Sequence, residues 1–382
     1  MSFSHIYWHM THPDRDNKPE WAPPNAGSEF ASFVMRGVKA SNGEGGSQGK
    51  KRRTLTVDEY VEGVLSGNRM ILARAITLIE SNAPAHRDMG QAVLQRLMPH
   101  AGRSMRVGIS GVPGAGKSTF IEALGSMLCE QGHRVAVLAV DPSSTLSGGS
   151  ILGDKTRMER LSAHPNAYIR PSPTGGNLGG VTEKSRSTIQ VCEAAGYDVI
   201  IVETVGVGQN EIAVRGMVDC YLLLGIAGAG DDLQGIKKGV IEIADLFVVN
   251  KADGDNKARA RRTQAEMSTV LHYLTPYTPE WAVPALMCSA LKGDGVAEVW
   301  EAVTRFFSHL KDHGWLEQRR ARQNVEWLHE LMNQELRHLF LEHPDVAGVL
   351  PDMERDVATG KLPVYQAAKS LLACFKPDPD CS

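Results

Sequence analysis

The sequence lacks the features that mark a disulfide-stapled, nucleic-acid-binding or membrane-spanning protein. Its six cysteines are scattered and form no C-x-x-C pair, so neither a disulfide framework nor a thiolate metal site is indicated. A formal net charge of −3 provides no basic field to attract nucleic acid or an anionic membrane. No apolar run is long enough to span a bilayer, and the first residues lack a signal peptide's apolar core. We therefore expect a cytoplasmic protein that binds neither nucleic acid nor membrane.

Composition and periodicity change along the 382 residues and predict five segments. Thr56, with Glu59 three residues later, is typical of a capping box at the start of a helix, and apolar residues then recur at helical spacing. A long amphipathic helix near the C-terminus is either a packed appendage or a dimer interface, and its spacing leaves both open. The segments are a flexible extension (1–53), a helical segment (54–102), the main domain (103–312), a C-terminal helical region (313–376) and a tail (377–382).

The main domain alternates short apolar runs with segments of helix length. Nearly continuous hydrophobicity indicates strands buried on both faces, and hence a mostly parallel sheet between two layers of helices. We therefore expect a three-layer α/β fold that binds its ligand at the carboxyl ends of the strands. The runs are MRVGISG, HRVAVLAVDPS, AYIRPS, YDVIIVETVG, CYLLLGIAG, DLFVVNKAD and PALMCSA.

The first run leads into GVPGAGKST, which matches the phosphate-binding pattern G-x-x-x-x-G-K-[ST]. Its glycines allow backbone N–H groups to surround phosphates, while Lys117 would reach the β- and γ-phosphates and Ser118 would bind Mg²⁺. The helix that begins near Lys117 would point its positive N-terminus at the same anion. The expected phosphate-loop residues are Gly111, Val112, Pro113, Gly114, Ala115, Gly116, Lys117, Ser118 and Thr119.

The sequence NKAD at the end of the sixth run predicts guanine recognition. Asp253 can accept hydrogen bonds from the guanine N1–H and exocyclic amine, which adenine does not offer together. Asn250 would tie the base to nearby loops, and Lys251 would pack its aliphatic stem against the ring. Backbone groups that follow the seventh run, at Ser289, Ala290 and Leu291, are placed to contact the guanine oxygen. The sequence therefore predicts GTP and GDP rather than ATP as ligands.

Three acidic residues follow strands or loops near the predicted phosphates. Asp141 and Glu203 end apolar runs, so each would face Mg²⁺ or its water shell, because this ion prefers oxygen ligands. Asp154 lies in the loop ILGDKTRM, where an ordinary helix cap is an equally good interpretation from the residues alone.

The sequence ETVGVGQ has the form of a D-x-x-G switch with Glu203 in the acidic place. The N–H of Gly206 would contact the γ-phosphate. The next residue is Val207 rather than the Gln that orients the attacking water in many small GTPases, so we expect slow intrinsic hydrolysis. Gln209 is a weaker candidate for that role.

Two further glycine-rich loops, 172–181 and 228–239, have the composition of exposed switching loops.

Taken in order, these motifs resemble the MeaB/ArgK family. The resemblance covers about residues 56–375, and its most specific parts are GGSILGDKTRM and ETVGVGQ. It implies a P-loop GTPase in which Lys117, Asp141, Asp154, Glu203 and Gly206 serve hydrolysis. In the same family the metal is held by residues matching Ser118, Asp141, Asp154 and Glu203, which favours the metal role for Asp154.

The resemblance also implies a function beyond hydrolysis. Family members are chaperones that gate adenosylcobalamin loading and protect methylmalonyl-CoA mutase or a related acyl-CoA mutase, with a cobalamin adenosyltransferase as a further partner. The loop 228–239 matches a switch that contacts the mutase, through Asp231, Gln234 and Lys237. The C-terminal helices match a homodimerisation arm. Two other classes remain as alternatives, a metallochaperone GTPase and a P-loop kinase, although the cysteines form no metal motif and NKAD disfavours the kinase.

Overall fold

The computed structural model describes residues 55–81, 83–140, 158–171, 178–204, 210–227 and 238–375. The predicted extension 1–53 and tail 377–382 lie outside this part of the chain, so they stay predictions. Residues from Leu55 onward belong to one compact unit. Among the described residues, no helix combines the length and apolar character needed to cross a membrane.

A seven-stranded sheet forms the centre of the main domain. Its strand order is β3-β2-β4-β1-β5-β6-β7, and every neighbouring pair is parallel, which confirms the α/β prediction. Each strand lies within one of the seven apolar runs. The strands are β1 (Met105–Gly111), β2 (Val135–Val140), β3 (Ala167–Arg170), β4 (Val199–Thr204), β5 (Cys220–Ile226), β6 (Leu246–Asn250) and β7 (Ala285–Met287).

Three helices precede the sheet: α1 (Val57–Leu65), α2 (Arg69–Ile79) and α3 (Pro84–Leu97). The capping box is present, with the Thr56 hydroxyl accepting from the Glu59 N–H at 3.2 Å and the Glu59 carboxylate accepting from the Thr56 N–H at 2.8 Å. The apolar pattern after Thr56 suggested one continuous helix, and this was wrong. Gly67 adopts a φ of +72° and Asn68 caps a second helix, so the chain turns between α1 and α2.

Helices cover both faces of the sheet, as expected for a three-layer fold. Alternate residues of one strand face opposite layers, because successive side chains of a strand point to opposite sides. On β4, Ile200 and Val202 pack with the layer that contains α1 to α3, whereas Val199 and Ile201 pack in the other. The remaining helices of the domain are α4 (Lys117–Glu130), α5 (Glu159–Ala163), α6 (Leu178–Ala194), α7 (Asn210–Arg215), α8 (Lys238–Glu242), α9 (Lys257–Tyr273) and α10 (Val296–Asp312).

The C-terminal region is helical, as predicted. Gly314, with a φ of +68°, separates α10 from the long helix α11 (Trp315–Glu342). Three short helices follow: α12 (Pro344–Ala347), α13 (Leu350–Ala358) and α14 (Val364–Cys374). The first turns of α11 pack against the main domain, and Leu316 and Gln323 are buried there. The rest of α11 is largely exposed.

Candidate nucleotide-binding site

The phosphate loop connects β1 to α4 at the centre of the sheet. Gly114 and Gly116 have φ angles of +77° and +84°, in the left-handed region that favours glycine. A Cβ on Gly111 would come within 2.4 Å of the Leu224 carbonyl oxygen on β5, so no side chain fits there. Helix α4 begins at Lys117 without a side-chain cap from Gly116, which leaves its N-terminal dipole directed at an incoming anion.

Lys117 lies at the first position of α4, with its ammonium group turned back over the loop. Its Nζ donates to the carbonyl oxygen of Gly111 at 2.9 Å. Burial lowers the pKa of Lys117, and the negative charges of Glu203 and Glu211 oppose that shift. A half-buried ammonium group held over a glycine loop is suited to contact phosphate oxygens, as the sequence predicts.

Ser118 and Glu203 bring two oxygen donors together beside the phosphate loop. The Ser118 hydroxyl donates to the Glu203 carboxylate at 3.2 Å, and Glu203 is buried near the end of β4. A second contact joins β4 to β1, since the Thr204 hydroxyl donates to the Ser110 hydroxyl at 3.0 Å. A hydroxyl and a carboxylate are ligands that Mg²⁺ accepts, so the described residues fit this ion.

Several predicted site residues lie outside the described part of the chain. They are Asp141, Asp154, Gly206, Asp231, Gln234 and Lys237, together with Val207 and Gln209. Of the predicted metal ligands, the structure therefore places Ser118 and Glu203 side by side, and the other two carboxylates stay predictions.

Asn250 links the phosphate loop to the segment that follows β7. Its amide Nδ2 donates to the Ala115 carbonyl oxygen at 2.8 Å, and its Oδ1 accepts from the Ala290 N–H at 3.0 Å. A Cβ on Gly116 would come within 2.8 Å of the same amide nitrogen, so glycine is needed for this close approach. These contacts join the loops to which Asn250 is predicted to tie the base, and its contact with the base stays a prediction.

The carboxylate of Asp253 lies at the expected base-binding edge. Its Oδ2 accepts a hydrogen bond from the Ser289 hydroxyl at 2.5 Å. Lys251 has a φ of +59°, an uncommon backbone conformation for a non-glycine residue. Ser289 and Ala290 are buried, whereas Leu291 is exposed. The structure thus brings the two predicted guanine-contacting segments together.

The sequence analysis assigned no role to two residues of this site, Cys288 and Gly295. Cys288 is buried and its Sγ donates to the Asn250 Oδ1 at 3.4 Å. Burial raises the pKa of Cys288 to about 12, so at neutral pH the thiol keeps the proton that it donates. Gly295 ends the same loop with a φ of +76°, and a Cβ there would come within 2.4 Å of the Met287 carbonyl oxygen. The sequence offered one indication of the role of Cys288, which is its position directly before Ser289 and Ala290.

Comparison with known proteins agrees with this geometry. The family model described as methylmalonyl-CoA mutase-associated GTPase MeaB matches residues 72–345. A probable GTPase of Mycobacterium tuberculosis is 53% identical over 317 residues, which cover 83% of this chain and 94% of that protein. The mouse protein named methylmalonic aciduria type A homolog, mitochondrial, is 47% identical over 330 residues, covering 84% of this chain and 80% of the relative.

A solved structure shares the fold as well as the sequence. It is titled as a LAO/AO transport system kinase and aligns with a TM-score of 0.67 at 38% identity, covering 83% of this chain and 97% of that one. The phosphate loop, the guanine-type base site and the family match all point to one enzyme class. The chain therefore belongs to the MeaB family and is a P-loop GTPase, which binds guanine nucleotide and hydrolyses GTP.

Proposed function

We propose that this GTPase is a chaperone of an adenosylcobalamin-dependent acyl-CoA mutase, with methylmalonyl-CoA mutase as the first candidate. It gates the loading of adenosylcobalamin, which a cobalamin adenosyltransferase supplies, and protects or reactivates the mutase. The observation that carries the proposal is the match of residues 72–345 to a family described as mutase-associated. The name of the mouse relative refers to methylmalonic aciduria, which supports methylmalonyl-CoA mutase as the partner.

Mg²⁺ is the proposed metal of the GTP site. Ser118 and Glu203 would hold it, and Asp141 and Asp154 complete the proposed ligand set. When bound, the ion neutralises charge on the phosphate oxygens. Lys117 contributes a second positive charge, and the N-terminus of α4 contributes a third, partial one.

Hydrolysis in the isolated protein is expected to be slow, because Val207 stands where many small GTPases have the water-orienting Gln. The mutase would complete the arrangement by ordering the ETVGVGQ and 228–239 loops. GTP and GDP must then favour different loop conformations, since a ligand shifts an equilibrium only by its differential affinity.

GTP turnover measured with and without purified methylmalonyl-CoA mutase tests the proposal. We expect the mutase to accelerate phosphate release markedly. Lys237→Ala should retain basal turnover and lose most of this acceleration, while the matched change of the next residue, Lys238→Ala, should retain both. Turnover that no acyl-CoA mutase accelerates, together with no binding to any of them, would contradict the chaperone function.

A kinase is the second candidate, because the solved structure with 38% identity is titled as one. The two functions differ in where the γ-phosphate goes. A chaperone GTPase transfers it to water, whereas a kinase transfers it to a third molecule. Parallel incubations with γ-labelled GTP and ATP separate them, since label on a third molecule or a preference for ATP would favour the kinase.

A homodimer formed through the C-terminal helices is the remaining part of the proposal. Five apolar side chains of α11 are between 48% and 59% exposed, and their spacing of three or four residues places them on one stripe. Such a stripe is more apolar than a solvated helix face requires. The residues are Val325, Leu328, Met332, Leu336 and Leu339.

Sedimentation velocity of the full chain should give twice the 41.5 kDa mass of one chain. Leu336→Glu is expected to shift the protein to the monomer, because it places a charge in the apolar stripe. Met70→Glu is the matched control, since Met70 is an exposed apolar residue that lies on α2 rather than on α11. A monomeric wild-type chain, or a dimer that Leu336→Glu leaves intact, would contradict this interface.

A further inference from the structure

The first turns of α11 are fixed to the fold by a buried polar network. Arg320 binds both carboxylate oxygens of Asp219, at 2.8 and 2.6 Å, and also donates to the Ser104 carbonyl oxygen at 2.6 Å. Arg319 donates to the Thr278 hydroxyl at 2.7 Å and to the backbone carbonyl of Asp219. These contacts attach α11 to the amino ends of β1 and β5, at the edge of the sheet opposite the phosphate loop.

Gln323, one turn further along α11, has different partners. Its side-chain Nε2 donates to the carbonyl oxygens of Val218, at 2.8 Å, and of Arg215, at 3.3 Å. Arg215 is the last residue of α7, and Gln323 is buried against it. The amide of Gln323 is therefore a direct link between the long C-terminal helix and α7.

Helix α7 extends from this link toward the nucleotide site. It has six residues, so it is about 9 Å long at about 1.5 Å per residue. Glu211, in its first turn, is buried and close enough to Lys117 for its charge to act on the ammonium group. At the other end of α7, Arg215 pairs with Asp245 at 3.2 Å.

We expect the charge of the bound nucleotide to act on α7. The γ-phosphate of GTP would add negative charge beside Lys117, whose ammonium group also experiences the charge of the buried Glu211 carboxylate. Repulsion between two negative charges is strong where water is excluded. GDP lacks the γ-phosphate, so the two nucleotides exert different forces on the first turn of α7.

We propose that Gln323 is a positioning residue that couples α7, and through it the nucleotide state, to the long helix α11. Arg319 and Arg320 hold α11 to the amino ends of β1 and β5, at the edge of the sheet opposite the phosphate loop. Gln323 holds α11 to α7, the element that we expect to respond to the γ-phosphate. The inference rests on the GTPase activity of the chain and is independent of the mutase partner.

Binding of two nucleotides to the full-length chain tests this coupling. Isothermal titration in the presence of Mg²⁺ gives the affinity ratio between a non-hydrolysable GTP analogue and GDP. Because coupling between two sites is reciprocal, Gln323→Met should change this ratio by about fivefold or more. Methionine keeps the length of the side chain and removes its hydrogen-bonding amide. A purely structural role would alter both affinities by the same factor and leave the ratio constant.

Arg322→Ala is the matched control, since Arg322 precedes Gln323 on α11, faces solvent and pairs only with Glu326 on its own helix among the described residues. It should leave the ratio at the wild-type value. Hydrogen exchange of the wild-type chain gives a second readout that requires no variant to fold, and amides of residues 316–327 should exchange at different rates with the two nucleotides. Equal exchange in that segment, or an unchanged ratio in folded Gln323→Met, would overturn the proposal.

Discussion

Replacing Lys117 with Met is expected to lower kcat/KM for GTP hydrolysis by about 1,000-fold, the upper range for loss of one preorganised electrostatic contact. The ammonium group lies half-buried over the phosphate loop, where its Nζ contacts the Gly111 carbonyl oxygen. Methionine fills a similar volume but carries no charge. Because negative charge spreads over the transferred phosphoryl oxygens, the loss should fall on kcat as well as on KM. Phosphate release under single-turnover conditions separates the two effects.

Lys361→Met provides the matched control, because Lys361 is an exposed lysine in the turn between α13 and α14. It should hydrolyse GTP at the wild-type rate. A Lys117→Met protein that binds and hydrolyses GTP normally would show that the loop around Gly114 and Gly116 holds some ligand other than the nucleotide phosphates.

The strands were predictable from sequence because burial on both faces leaves a local signal. Each of the seven apolar runs contains one strand, and Glu203 and Asn250, near the ends of β4 and β6, lie beside the phosphate loop. The strand order was not predictable. Strand β4 lies between β2 and β1, although β3 precedes it in the chain, and such non-local pairing leaves no mark on composition. The break between α1 and α2 was missed because helical periodicity continues across Gly67 and Asn68.

The positions of site residues were predictable where a short sequence pattern has one main chemical function. Lys117, Ser118 and Asn250 stand in short patterns whose chemistry is specific, and the structure brings them to the same edge of the sheet. Cys288 was missed because its role depends on a contact with Asn250, which is 38 residues away in the chain. Gln323 was missed because a single amide on a long amphipathic helix is ordinarily a solvated residue.

Asp253→Asn is expected to weaken GTP binding by about 100-fold, since each hydrogen bond to a charged group contributes roughly 1.5–3 kcal/mol. We expect the carboxylate of Asp253 to accept from both the N1–H and the exocyclic amine of guanine, whereas an asparagine amide offers one acceptor and one donor group. Its NH₂ would face the guanine amine, donor against donor. Xanthine carries a carbonyl oxygen at that position, so the same substitution should increase binding of XTP.

Fluorescence titration with labelled GDP, in competition with GTP and XTP, measures this exchange of specificity. Asp255→Asn is the matched control, because Asp255 is exposed two residues further along, in the short 3₁₀ turn Gly254–Asn256. This variant should keep the preference for GTP.

The hydrogen bond from Ser289 to Asp253 allows a second variant to be tested in the same titration. Ser289→Ala removes the donor that orients the carboxylate but leaves both acceptor oxygens, so it should weaken GTP binding without improving XTP binding. If Asp253→Asn weakened both nucleotides equally, Asp253 would act by holding the Ser289 loop in place rather than by recognising the base.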